Sequence, residues 1–203
     1  HLSELAKIEA LSASDAEVAR ERLARFVDTV WHQQQKKLLL TTDESIQLKK
    51  RVIDLLDSTQ MKKDEQFRLL ARMTVDGATV DTDRKAVQLA EKTQDVAELE
   101  KFLKPKIAEF NSPKAKNSFM ERWVDLKTAG KSEISVSEMR MLGSELETVM
   151  FEPSAVRDDI LEKIAWMTPE ASKTDLFELE KMKSSRAMFS GTGESQARMA
   201  SAI

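Results

Sequence analysis

Apolar residues recur three and four positions apart along most of this 203-residue chain, and this spacing is the feature that most constrains its fold. Only five glycines and four prolines interrupt the pattern, and the alternation typical of β-strands is scarce. A clear example is the apolar stripe formed by Ala16, Ala19, Leu23, Phe26 and Val30. A stripe of this kind gives a helix one face to bury and leaves the other face in solvent. The sequence therefore predicts an all-α fold, a multi-helix bundle.

Local capping signals divide the chain into successive helices. In a capping box, a Ser or Thr side chain and a Glu three residues later bond each other's backbone amides. Such boxes are predicted at residues 14–17, 41–44 and 135–138. Proline is also favoured at the first helical position, where its missing amide has no intrahelical partner to lose. Helix starts of this second type are predicted at Ser112–Pro113 and Thr168–Pro169.

The chain also matches itself when it is shifted by 93 or 94 residues. A shift of 93 aligns Phe26 with Phe119, and a shift of 94 aligns Leu48 with Leu142. These matches indicate two tandem copies of one helical unit, stacked into an elongated domain.

Two positions break the match, because Ile46 falls opposite Arg140 and Ile53 falls opposite Glu147. Any two amphipathic helices can be brought into partial register, so chance agreement is the alternative to duplication.

The caps and the shift predict three segments. Residues 1–111 form the first helical unit, and residues 112–183 form a second unit packed on the first. Residues 184–203 are rich in Ser, Gly, Thr and Ala, which bury little apolar area to offset the entropy of ordering. We expect them to form a flexible polar tail.

Composition limits the classes of function. The net charge of -3 comes from 32 basic and 35 acidic residues that are interspersed, so we expect no nucleic-acid partner. No apolar run approaches the roughly 20 residues that a membrane-spanning helix needs. With no cysteine and only two histidines, a thiolate or zinc site has too few ligands. We therefore expect no metal, no cofactor and no catalytic residue.

Large apolar side chains are the candidates for contact with a partner. Trp31, Trp123 and Trp166 each lie beside an apolar stripe, where Trp either fills a core or anchors an interface. Met139 and Met141 belong to a set of ten methionines, whose unbranched side chains fill a core or line an adaptable groove. These five residues are the predicted partner-binding residues, and core packing is the alternative for each.

By elimination, the sequence favours a non-enzymatic helical adaptor that offers an apolar groove or helix face to another protein. A cysteine-free tandem helical bundle resembles some secreted pathogen effectors, which implies a removed leader upstream of His1, delivery into a host cell and a host protein as partner. The chain has no tyrosine, so it lacks the paired Trp and Tyr of the oomycete helical effector unit. The alternative function is a structural scaffold that assembles with copies of itself.

Overall fold

The computed structural model describes residues 1–36, 40–149 and 154–183. Within these ranges the regular structure consists of ten α-helices and one short 3₁₀ helix, without a strand. The predicted all-α helical bundle is confirmed. The helices are α1 (Leu2–Ser12), α2 (Ala16–Lys36), α3 (Thr42–Ser58), α4 (Lys63–Met73), α5 (Val80–Lys92), α6 (Val96–Lys106), α7 (Pro113–Lys127), α8 (Val136–Val149), α9 (Ala155–Trp166) and α10 (Lys173–Lys181), with the 3₁₀ helix Ile107–Glu109 before α7.

The helices form two compact units. The first unit comprises His1–Thr93 and Pro105–Lys116, and the second comprises Gln94–Lys104 and the chain from Asn117 onward. This division differs from the predicted boundary between residues 111 and 112, because residues 94–104 lie with the second unit and residues 112–116 with the first. The predicted tail, residues 184–203, lies outside the described residues.

The core of the first unit is formed by side chains from α1 to α5 and by Phe110. Trp31, Leu56 and Phe67 are enclosed almost completely. The ring of Phe67 meets that of Phe110 edge to face, with centroids 4.9 Å apart. This is a favourable geometry for two aromatic quadrupoles, so the segment after α6 is held against α4 by a specific contact.

The core of the second unit is centred on Trp123, which is also fully enclosed. Its indole Nε1 donates a hydrogen bond to Glu100 Oε1 at 3.2 Å. Lys127 Nζ lies 3.2 Å from Glu100 and 2.8 Å from Glu145. Burial favours a lower Lys127 pKa, but the hydrogen bonds to Glu145 and Glu100 outweigh it and raise that pKa. The ammonium therefore stays charged and links α6, α7 and α8.

The helix bounds repeat along the chain. Leu2–Ser12 of α1 and Val96–Lys106 of α6 are related by a shift of 94 residues at both ends, and the first residues of α3 and α8, 42 and 136, by the same shift. The helices α4 and α9, and then α5 and α10, follow in the same order. This order is compatible with two tandem copies of one helical unit, although the bounds of α2 and α7 are not related by the same shift. The duplication stays a prediction.

Two of the predicted capping boxes form. Thr41 Oγ1 accepts from the Glu44 amide at 3.3 Å while Glu44 Oε2 accepts from the Thr41 amide at 2.9 Å. Ser135 and Glu138 make the same pair of bonds, at 3.2 and 2.9 Å. Ser112 also caps α7 as predicted, since its Oγ accepts from the Ala115 amide at 3.0 Å.

The other two predicted helix starts are wrong by a few residues. At α2 the cap is Asp15, whose Oδ1 accepts from the Val18 amide, while Ser14 Oγ donates back to Leu11. At α10 the cap is Ser172, within a capping box completed by Asp175. In both places several polar side chains stand close together, and the one that directly precedes the helix makes the cap.

Buried threonines mark the ends of five helices. In each, the hydroxyl donates to a backbone carbonyl three or four residues earlier, at 2.6 to 2.9 Å. The threonines are Thr59, Thr74, Thr93, Thr128 and Thr168. The carbonyls of Leu55, Ala71 and Val124 also accept from the backbone amide of the same threonine, so there the hydroxyl adds a second bond to one acceptor. Each buried hydroxyl thus finds its partner within its own helix.

Candidate protein-binding surfaces

The five predicted partner-binding residues fall into two groups. Trp31, Trp123 and Met139 are buried in the cores of their units. For these three residues the alternative, core packing, is correct. Trp166, at the end of α9, is 46% exposed, and Met141, on α8, is 49% exposed. Only these last two present surface to a partner, and both belong to the second unit.

Phe177 is a third exposed apolar side chain of the second unit and is not among the predicted residues. It lies on α10 and is 59% exposed, and Lys181 Nζ approaches its ring centroid to 4.7 Å. A signal was available in the sequence, because Leu176 and Leu179 form the apolar stripe of this helix and Phe177 falls beside that stripe.

The first unit carries a groove between the N-terminal ends of α3 and α5. Its volume is about 430 Å³. The lining consists of residues 40–42 and 76–81 together with Ser45, Ile46 and Lys49 of α3. A threonine caps each of these helices here. Thr41 caps α3 in a capping box with Glu44, and Thr79 caps α5 in a capping box with Thr82.

Apolar side chains project at the rim of this groove. Val80, the first residue of α5, is 82% exposed, and Ile46, in the first half of α3, is 42% exposed. Ile46 is one of the two positions at which the internal match fails. Neither side chain is predicted as a contact residue, because a single apolar residue in a polar stretch carries no periodic signal.

The floor of the groove is a buried ion pair. Lys49 Nζ donates to Asp76 Oδ1 at 2.6 Å and to the Gly77 carbonyl at 2.7 Å. Ser45 Oγ donates to the other Asp76 oxygen at 2.6 Å. Gly77 has a φ of +116°, a conformation that side-chain-bearing residues rarely adopt, and so the loop can turn its carbonyl toward the lysine.

Acidic groups predominate around the groove. Asp81 Oδ1 accepts from Arg84 Nη2 at 2.6 Å, and Asp43 and Glu44 stand in the first turn of α3. Hydrogen bonds from the Thr41 amide and hydroxyl lower the Glu44 pKa, so this carboxylate is ionised at neutral pH. Within the lining Lys49 is paired with Asp76, and Asp81 is paired with Arg84. Asp43 and Glu44 add two carboxylates beside the groove, at the start of α3.

In residues 1–36, 40–149 and 154–183, no three His, Asp or Glu side chains gather where they could hold a metal ion. None of the helices in that part of the chain is both long enough and apolar enough to cross a membrane.

Comparison with protein-family models, curated proteins and solved structures finds no match to this chain.

Proposed function

We propose that this chain is a non-enzymatic helical module that binds another protein. The observation that carries the proposal is that large apolar side chains stand exposed on helices of both units, although each unit has a compact core to bury such residues. They include Ile46 and Val80 in the first unit and Met141, Trp166 and Phe177 in the second. Aromatic and Met side chains are enriched at the centres of interfaces, where they exclude water.

The class of partner follows from the resemblance to secreted pathogen effectors. Two similar helical units without cysteine need no oxidising compartment to stay folded. A chain of this kind can act inside a host cell, and the partner would then be a host protein. The competing function, self-assembly through the same apolar side chains, predicts a different mass in solution.

The test is affinity capture combined with light scattering. The wild-type chain is expected to be monomeric and to capture one protein in a stoichiometric complex. A variant in which Ile46, Val80, Trp166 and Phe177 are all replaced by Ser is expected to lose that complex. Its loss of affinity should reach at least about a hundredfold, since a single interface anchor is commonly worth about 2 kcal/mol.

A matched control replaces four exposed polar residues, Lys50, Gln88, Glu147 and Lys173, by Ser. This control is expected to retain the complex, and circular dichroism should show that both variants keep their helices. Self-assembly that rises with concentration, without a captured protein, would favour the scaffold instead. Equal capture by both four-residue variants would contradict the proposed role of the exposed apolar side chains.

A further inference from the structure

The groove of the first unit has a counterpart in the second, at the positions reached by the shift of 94 residues. The shift pairs Ile46 with Arg140 on α8 and Asp81 with Asp175 on α10. In the second unit Arg140 Nη2 lies 2.5 Å from Asp175 Oδ1. An arginine therefore bridges the two helices where the first unit has an exposed isoleucine.

The two helices of the second unit are also closely packed at the position that corresponds to Lys49. The shift pairs Lys49 with Gly143 and Lys85 with Leu179. A Cβ atom placed on Gly143 would lie 3.0 Å from Leu179 Cδ1, so α8 and α10 leave no room for a longer side chain between them.

In the first unit the two corresponding lysines are buried, and each is paired with a different aspartate. Lys49 is bonded to Asp76 and Lys85 to Asp57. The corresponding helices are thus closely packed at Gly143 in the second unit and have a groove between their N-terminal ends in the first.

The second unit also indicates what chemistry suits the groove. There the carboxylate at the first turn of α10 binds a guanidinium that reaches across from the facing helix. In the first unit the corresponding carboxylate, Asp81, accepts a hydrogen bond from Arg84, which lies three residues later on the same helix and is itself exposed. A guanidinium or ammonium from outside would meet Asp81 in the groove lining, with Asp43 and Glu44 nearby in the first turn of α3, and an apolar side chain beside it would contact Ile46 and Val80.

We propose that the groove between α3 and α5 binds a basic amphipathic helix of a partner protein, with an apolar residue between Ile46 and Val80 and an arginine facing Asp81. This inference rests on the proposed function and names the site and the chemistry of the partner. An amphipathic helix presents both groups on one face, because residues three and four apart lie side by side.

The test is a titration of the ¹⁵N-labelled full chain with two synthetic helical peptides. One contains Leu, Ala and Arg in an amphipathic pattern, and the other has Glu in place of every Arg. The Arg peptide is expected to shift the amide signals of Ile46, Val80 and Asp81 in a saturable manner. The Glu peptide is expected to bind at least about tenfold more weakly, the factor that corresponds to 1.4 kcal/mol.

The substitution Ile46→Arg introduces the residue that the second unit has at the corresponding position, Arg140. Its guanidinium should bond Asp81 and occupy the groove. We expect it to weaken binding of the Arg peptide by at least about tenfold. Val18→Arg is the matched control, since it also places an arginine at an exposed apolar position of the first unit, on α2 and outside the groove lining. It should bind the peptide as the wild type does.

Equal binding of the two peptides, shifts confined to other regions, or unchanged binding by Ile46→Arg would overturn the inference. The proposed function is tested separately by capture. A chain that captures a partner but whose groove does not bind the Arg peptide would overturn the groove assignment alone. A chain whose groove binds the peptide but that captures no protein would contradict the proposed function alone.

Discussion

Lys49 forms a buried ion pair beneath the groove of the first unit. Its ammonium lies beneath the groove and is held by Asp76 and by the Gly77 carbonyl, while Ser45 bonds the second carboxylate oxygen. The attraction offsets the cost of removing both charges from water only while each partner is present. Removing one partner should therefore be worse than removing both.

Asp76→Ala is expected to lower the free energy of unfolding by about 3 kcal/mol, because it leaves a buried ammonium with no opposing charge. The double variant Lys49→Met with Asp76→Ala should lose less than the single variant. Urea unfolding followed by circular dichroism measures both. Asp54→Ala, on the exposed side of α3, is the control and should cost no more than about 0.5 kcal/mol. A double variant less stable than Asp76→Ala would refute this account.

At this scale the sequence predicted part of the candidate surface. Periodicity identified Trp31, Trp123 and Trp166 as equivalent, since each lies beside an apolar stripe. The structure separates them because Trp166 is the last residue of α9, where the core no longer covers the helix. The Lys49–Asp76 pair could not be predicted, because the two residues are 27 positions apart and lie in different elements.

At the scale of the helix, the caps are the features that the sequence predicted best, because each depends on residues only three apart. The carboxylate of Glu138 is the clearest case. A hydrogen bond from the Ser135 backbone amide, with further bonds from Lys131 and from the Ser135 hydroxyl, lowers its pKa from 4.5 to about 2. The predictions at Ser14 and Thr168 failed because neighbouring side chains competed for the same cap.

The low pKa of Glu138 predicts a pH-dependent contribution of α8 to stability. A folded-state pKa below the unfolded value stabilises the fold above about pH 4.5, and this contribution is lost as the pH falls through about 2. The difference in unfolding free energy between wild type and Glu138→Gln should therefore be largest near pH 6 and shrink toward pH 2. Urea titrations across this range measure it, with Glu147→Gln on the same helix as a control for the loss of a charge. A difference that does not change with pH would contradict the prediction.

At the scale of the whole molecule, the helical class followed from periodicity, but the grouping of the helices did not. Residues 94–104 precede the proline-marked start at Ser112, and so local signals assigned them to the first unit. Their packing belongs to the second, where Glu100 bonds Trp123. Contacts between residues distant in sequence decide such groupings, and amphipathic spacing does not encode them.

The two compact units lead to a prediction about where destabilisation appears. Leu161→Ala should remove about 2 to 5 kcal/mol from the second unit, and Leu56→Ala a similar amount from the first, because both leucines are fully buried. Hydrogen exchange followed by mass spectrometry should show the largest increase within the unit that carries the substitution. Equal increases in both units for both variants would show that the chain opens as one cooperative body.

The buried threonines at the helix ends bear on which substitutions their surroundings tolerate. Each hydroxyl donates to a carbonyl of its own helix, at 2.6 to 2.9 Å. A buried hydroxyl bonded in this way needs no polar side chain from another helix. The residues that pack against these five threonines can therefore be exchanged for other apolar residues of similar volume without leaving a buried donor unpaired.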